Sequence, residues 1–167
     1  TPSAASDDTA CQVDIFPNVD FICLVAGAIP WYKELAGGLP IAPHGRVGPA
    51  VVRAAGCALL AGNLWLRMTS LDCFVEKKTP VAHHQAARVM ITDGPFEYSR
   101  NPTYVSMVGA LGAFGLIMNS WWGVASAAPL FAYLHFHVIP AEEAYMRNRF
   151  PEFAEYMQAA PRWLGPL

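Results

Sequence analysis

Polar and apolar residues fall in long blocks along this chain, and four of the blocks are apolar: 21–32 (FICLVAGAIPWY), 47–66, 104–118 (YVSMVGALGAFGLIM) and 121–140 (WWGVASAAPLFAYLHFHVIP). A helix of a soluble bundle keeps a polar stripe on its outward face. The third and fourth blocks have almost none, so the pattern predicts an all-α integral membrane bundle with about four transmembrane or membrane-embedded helices. A spanning helix needs roughly 20 apolar residues. Block 47–66 has that length, whereas block 21–32 is shorter and holds Pro30, so it must recruit flanking residues, tilt, or lie in the interface. Only Asn119 and Ser120 separate the third block from the fourth, which predicts a tight helical hairpin with Trp121 and Trp122 at the aromatic belt.

Small residues recur inside two blocks. Ala50, Ala54, Ala58 and Gly62 form a stripe at i, i+4 spacing, and Gly109, Gly112, Ala113 and Gly115 thin a second helix. Lipid gives helices no hydrophobic reason to associate, so such thin faces are the expected contact surfaces. Asn63 is expected to face another helix and Arg53 to snorkel outward.

Composition agrees: 54% of the 167 residues are hydrophobic and 14% charged. The net charge of −2, with no basic stripe, excludes a nucleic-acid partner. Cys11, Cys23, Cys57 and Cys73 lack CxxC spacing and read as free thiols. His135 and His137 lie two apart on different helix faces, and His83-His84 sits in a loop, so no metal site is expected. Residues 1–20 read as a polar N-terminal tail and 21–167 as one domain. The chain starts at Thr1, which suggests a processed or trimmed product, with organellar import among the explanations. Eight of the eleven Lys and Arg residues (Arg67, Lys77, Lys78, Arg88, Arg100, Arg147, Arg149 and Arg162) would share one side, comprising the N-terminal tail, the loop 69–101 with Arg67 just before it, and the C-terminus. The positive-inside rule makes that side cytoplasmic, or matrix or stromal in an organelle.

Chemistry concentrates in two polar, aromatic stretches on that side. In 93–104 (DGPFEYSRNPTY), Asp93-Gly94-Pro95 reads as a turn, and Pro102 as the first-turn residue of the third helix. A helix N-terminus beside Arg100 suits an anion, though Arg100 could equally hold lipid phosphate, with Tyr98 and Tyr104 as interface markers. In 141–163, Glu142 and Glu143 follow Pro140 directly, and carboxylates at a bilayer edge need partners. Those partners could be a ligand's amine or hydroxyls, or Arg147 or Arg100. Phe150, Phe153 and Tyr156 could wall a purine ring or form an amphipathic interfacial helix. Pro151 predicts a corner between the carboxylates and those rings.

The first motif, an apolar hairpin, then EEAYM-x3-FPEFAEYM-x3-PRWL, together resemble the isoprenylcysteine carboxyl methyltransferase and phospholipid N-methyltransferase superfamily of integral membrane methyltransferases. The resemblance covers roughly 47–167. It implies S-adenosylmethionine as cofactor and a lipidic acceptor, a prenylcysteine carboxylate or a lipid amine, arriving through the bilayer. It also implies cofactor binding by Gly94, Pro95, Tyr98, Arg100, Asn101, Pro102, Tyr104, Glu142, Glu143 and Tyr156, with Arg100, Asn101 and Tyr104 nearest the chemistry, and Pro161 and Arg162 in the closing segment. No GxGxxG is present, which disfavours a soluble Rossmann-type methyltransferase. Two departures, Glu97 for a basic residue and Ser106 for a glycine, together with the short first block and the start at Thr1, motivate a second reading as a non-catalytic subunit of a larger membrane complex, an organellar one among the options.

Overall fold

A computed structural model describes residues 39–42, 45, 47–79 and 87–164. The tail 1–20, the block 21–32, Cys11, Cys23 and His83-His84 lie outside the described residues.

Three long helices and one short one carry the architecture. Helix α1 is Val47–Glu76, α2 is Pro102–Ile117, α3 is Trp121–Arg149 and α4 is Phe153–Ala159. A single 3-10 turn, Gly94–Glu97, precedes α2. At 1.5 Å per residue α1 is about 45 Å long, more than a hydrocarbon core requires. The helix therefore continues through Arg67 and what was expected to be the start of the loop 69–101, and the loop begins only at Lys77. Nothing from Arg67 to Glu76 stops a helix: the run holds no Gly or Pro, and Thr69, Ser70 and Cys73 return their side-chain donors to carbonyls one turn back.

Both α1 and α2 end in a Schellman motif. After α1, the amide of Lys78 donates to Val75 and that of Thr79 to Phe74. After α2, Asn119 donates to Leu116 and Ser120 to Gly115. Lys78 and Asn119 take the left-handed backbone this needs, with φ of 50° and 52°. Asn119 also exchanges side-chain hydrogen bonds with the backbone of Ala42, and Ser120 caps α3 by accepting from the Gly123 amide. The two-residue hairpin expected from the sequence is thus built by these two side chains.

Helix α1 packs antiparallel on α2, but not through the predicted stripe. Ala50, Ala54, Ala58 and Gly62 are exposed, and the buried positions of α1 are Gly56, Asn63 and Ser70. These lie on the opposite side of the helix, since each residue turns it by about 100°. The polar side chains set the choice, because Asn63 and Ser70 facing lipid would be costly. Asn63 instead donates to the Leu59 carbonyl at 2.8 Å and sits over Gly109, where any β-carbon would overlap its amide. Gly56 rests against the backbone of Ala113 and Ile117. At the hairpin, Gly115 meets the backbone of Gly123 and Val124, so the thin face of α2 is used on both sides.

Helix α3 is irregular at two places, each one turn before a proline. A break at Ser126 precedes Pro129, and a π-helical turn, Leu134–Val138, precedes Pro140. A proline ring clashes with the carbonyl four residues back and removes a donor, and a widened turn relieves both.

Two cores result. One, at bilayer depth, joins Tyr104 to Leu130, Leu134, Val138 and Ile139. The other, at the polar end, joins Ile91, Phe96, Phe153, Tyr156 and Ala160, with Cys73 and Phe74 from the end of α1 against it. The apolar windows of α1 and α3 are only 11% and 28% buried. Trp65, Met68 and Phe136 stand well over half exposed. Apolar surface of that extent is stable against hydrocarbon and not against water, which makes this a membrane protein.

Candidate active site

Both sequence-distant stretches meet at one end of the bundle, where α1 ends, α2 begins and α3 ends. Adjacent carboxylates on a helix point about 100° apart, and here the two glutamates go separate ways. Glu143, 5% exposed, turns inward. One of its oxygens accepts from Arg100 Nη2 at 2.9 Å and Arg162 Nε at 3.0 Å, and the other accepts from Arg162 Nη2. Of the pairings open to it in sequence, Arg100 across the hairpin is the one made. Glu142 is half-buried and accepts from the Tyr104 hydroxyl at 2.7 Å.

Arg100 is almost fully committed to protein acceptors. Its Nη1 donates to the carbonyls of Met157 and Ala160 at 2.8 and 2.9 Å, and its backbone amide to Pro161. Only Nε is enclosed without an acceptor. Asn101 follows suit: its side-chain amide donates to the Arg162 carbonyl at 2.9 Å, while its own carbonyl accepts from Val105 to start α2 beside Pro102. These residues strap the C-terminal segment onto the start of α2.

The corner at Pro151 is present: α3 stops at Arg149 and α4 starts at Phe153. The rings beyond it pack into the polar-end core. Tyr156 donates to the Phe96 carbonyl at 2.7 Å. Burial pushes its phenol well above the usual range, against a smaller opposing pull from Arg100, so it remains a donor throughout neutral pH. Phe153 packs at a tilt on Tyr156.

Gly94 and Pro95 form the first residues of the 3-10 turn, with Gly94 at φ +63°, a value a glycine adopts without strain. The turn is tied to the end of α1 by Lys77 and Asp93 at 3.0 Å. Tyr98 points away, 71% exposed. The structure therefore gathers Arg100, Asn101, Pro102, Tyr104, Glu142, Glu143 and Tyr156, and leaves Gly94, Pro95 and Tyr98 on the adjoining turn. Ser99, Tyr145 and Trp163 were not singled out by the sequence reading. Ser99 accepts from the Asn101 amide, Tyr145 accepts from the Ala87 amide, and the Trp163 indole donates to His135 Nδ1 at 3.0 Å. The readable signal was the indole itself, whose single donor needs an acceptor when half-buried. Among the described residues no group of His, Cys, Asp and Glu could hold a metal ion.

What this end offers a ligand is a carboxylate and phenol pair, Glu142 and Tyr104, beside a rigid cationic clamp. A carboxylate accepts from amine and hydroxyl groups and balances the charge of a sulfonium.

No solved structure matches the chain. The cobalt-zinc-cadmium resistance protein CzcN of Cupriavidus metallidurans is 37% identical over 79 residues, 47% of this chain. The match spans only 36% of that relative's length. Residues 51–152, from the first turns of α1 to the corner after α3, match the family described as phospholipid methyltransferase, and the chain belongs to that family.

Proposed function

We propose that the chain is a membrane-embedded methyltransferase that takes its methyl group from S-adenosylmethionine and gives it to a lipidic acceptor, a lipid amine or a prenylcysteine carboxylate. The observation that carries this reading is the Tyr104–Glu142 pair, assembled from two motifs 38 residues apart at the polar end of a lipid-exposed bundle. S-adenosylmethionine supplies a methyl on a positively charged sulfur, so its transfer to a nucleophile in line with the C–S bond leaves a neutral thioether. Glu142 would hold the donor's amine or ribose hydroxyls and balance its positive charge. Tyr104, enclosed in the bilayer-depth core, fixes the orientation of Glu142 through its hydroxyl. For an amine acceptor, which must lose a proton before it attacks, the same pair is a proton path from the acceptor to Glu142. Arg100, Glu143 and Arg162 hold the C-terminal segment over the site and exclude water.

Neither departure from the family pattern favours the non-catalytic reading. Glu97 is exposed on the 3-10 turn, and the Ser106 hydroxyl folds back onto the Thr103 carbonyl of its own helix at 2.6 Å. The distribution of Lys and Arg supports placing this end on the cytoplasmic side, or in the matrix or stroma of an organelle. Equilibrium binding of S-adenosylhomocysteine to the purified chain in detergent tests the proposal. Binding by the unmutated chain, weakened about tenfold or more by Glu142→Ala, is the expected result. No binding by the unmutated chain would sink it.

A further inference from the structure

Irregular backbone is fastened to both ends of α2. At the hairpin, the Ile41 amide donates to the Asn119 carbonyl, the Trp121 amide to the Leu39 carbonyl, and the Ala42 amide to the Asn119 side chain. Leu39 and Pro40 are exposed there. At the polar end, the Arg100 amide donates to Pro161 and the Asn101 side chain to Arg162, next to the exposed turn residues Gly94, Glu97 and Tyr98. Exposed backbone outside a helix cannot face hydrocarbon, because its amides and carbonyls find no water there. The hydrocarbon around α2 must therefore fit between these two layers, along the 16 residues Pro102–Ile117. At 1.5 Å per residue that is about 24 Å, against about 30 Å for an ordinary bilayer. Tilt only shortens it.

The neighbouring helices give the same depth. On α3 the exposed large apolar side chains run from Trp121 to Phe136, about 23 Å, and none follows before Arg149. His137, the next residue, is exposed. On α1, Arg53 and Arg67 lie about 21 Å apart along the axis. Arg53 lines one cavity with Pro40 and Asn119, which puts it level with the hairpin. Gly56 against Ile117 and Asn63 against Gly109 put Arg67 level with the first turns of α2. Arg53 is exposed and can snorkel, whereas the Nη1 of Arg67 is enclosed and cannot extend the layer at its end. Beyond these arginines α1 exposes only single apolar side chains such as Val51 and Met68, as wet surfaces do. Exposed tryptophans mark both edges, Trp121 and Trp122 at the hairpin and Trp65 beside Arg67.

We infer that the surface of this bundle fits a thin bilayer, with a hydrocarbon layer of about 24 Å, and that in a thicker one the protein draws the two leaflets together around α2 and the hairpin. Compressing lipid costs little per Å, whereas sinking the Leu39–Ala42 backbone or the Arg100–Asn101 end into hydrocarbon strips polar groups of water. Short acyl chains meet this surface without compression. Selection is therefore by chain length, whatever the headgroup.

The test holds the headgroup constant and varies the chains. The full, unmutated chain is reconstituted in vesicles of dimyristoleoyl, dioleoyl or dierucoyl phosphatidylcholine, in order of increasing thickness, each mixed with brominated dioleoyl phosphatidylcholine. Quenching of the exposed Trp65, Trp121 and Trp122 reads how strongly each lipid competes for the protein surface. Dimyristoleoyl lipid is expected to be favoured over dierucoyl lipid about threefold or more, at many equivalent positions, with dioleoyl lipid between them. Equal competition by dimyristoleoyl and dioleoyl lipid, or a preference for either longer lipid, overturns the inference, because the surface then matches an ordinary or thick layer. So does a preference limited to one lipid per chain, which is the behaviour of a pocket and not of a boundary.

Discussion

At the scale of single residues, the two adjacent glutamates separate architecture from chemistry. Glu143 neutralises two arginines, and the side chains of Glu143 and Arg100 are only 7% and 9% exposed. Removing one member of a buried pair strands the other charge, which typically costs about 3–5 kcal/mol. Glu143→Ala should therefore lower the thermal unfolding midpoint in detergent sharply, and Arg100→Met should lower it less in a Glu143→Ala background than alone. Glu142→Gln keeps an acceptor for the Tyr104 hydroxyl, so its stability should stay within about 1 kcal/mol of the unmutated chain, while S-adenosylhomocysteine affinity falls. If both substitutions destabilised equally and neither altered ligand affinity, the division of roles would be wrong. The sequence made both carboxylates visible, because acidic residues beside an apolar helix end need partners. It could not assign the partners, because a ligand, Arg147 and Arg100 all stood open and Arg162 was read only as part of the closing segment, and the choice depends on how the corner at Pro151 folds the chain back.

At the scale of elements, helix existence was legible and helix contact was not. The apolar blocks gave α2 and α3 to within a few residues at most boundaries, and Asn119-Ser120 gave the hairpin. Where polarity rather than chain chemistry was used to end a helix, the reading stopped too early: α1 runs ten residues past Leu66 because Thr69, Ser70 and Cys73 satisfy their own donors on the helix. The stripe of Ala50, Ala54, Ala58 and Gly62 was a sound pattern on the wrong face, since burying Asn63 and Ser70 outweighs close approach along alanines. The glycines of α2 make the distinction measurable. A β-carbon on Gly115 would collide with the backbone of Gly123 and Val124, which cannot move aside, whereas one on Gly112 meets nothing within 4 Å. Gly115→Ala should thus destabilise the hairpin by about 1–3 kcal/mol or more, and Gly112→Ala should leave the melting midpoint at or above that of the unmutated chain, since alanine favours helix. Equal effects of the two substitutions would mean that α2 and α3 cross less closely than the structure has them.

At the scale of the whole molecule, the helices and the candidate site are held by different sets of contacts. The α1–α2–α3 bundle rests on Gly56, Asn63, Gly109, Ala113 and Gly115 and on the bilayer-depth core, none of which involves α4. The polar end depends on the last residues: the carbonyls of Ala160, Pro161 and Arg162 receive donors from Arg100 and Asn101, the Arg162 side chain completes Glu143, and Trp163 latches onto His135 and Phe131 of α3. Truncation after Ala159 removes all of these contacts at once and leaves the Arg100–Glu143 pair in place. The truncated chain should therefore insert into membranes and keep its helical circular dichroism to within the loss of the deleted residues. It should nevertheless lose S-adenosylhomocysteine binding, because Arg100 and Asn101 no longer fix the first turn of α2 that carries Tyr104 toward Glu142. Hydrogen exchange should rise at the amides of Arg100 and Asn101, which the closing segment and Ser99 now satisfy, and stay unchanged at Ala113. Retained binding in the truncated chain would show that the closing segment covers the site without building it, and exchange rising equally along α2 would show that bundle and site are one cooperative unit.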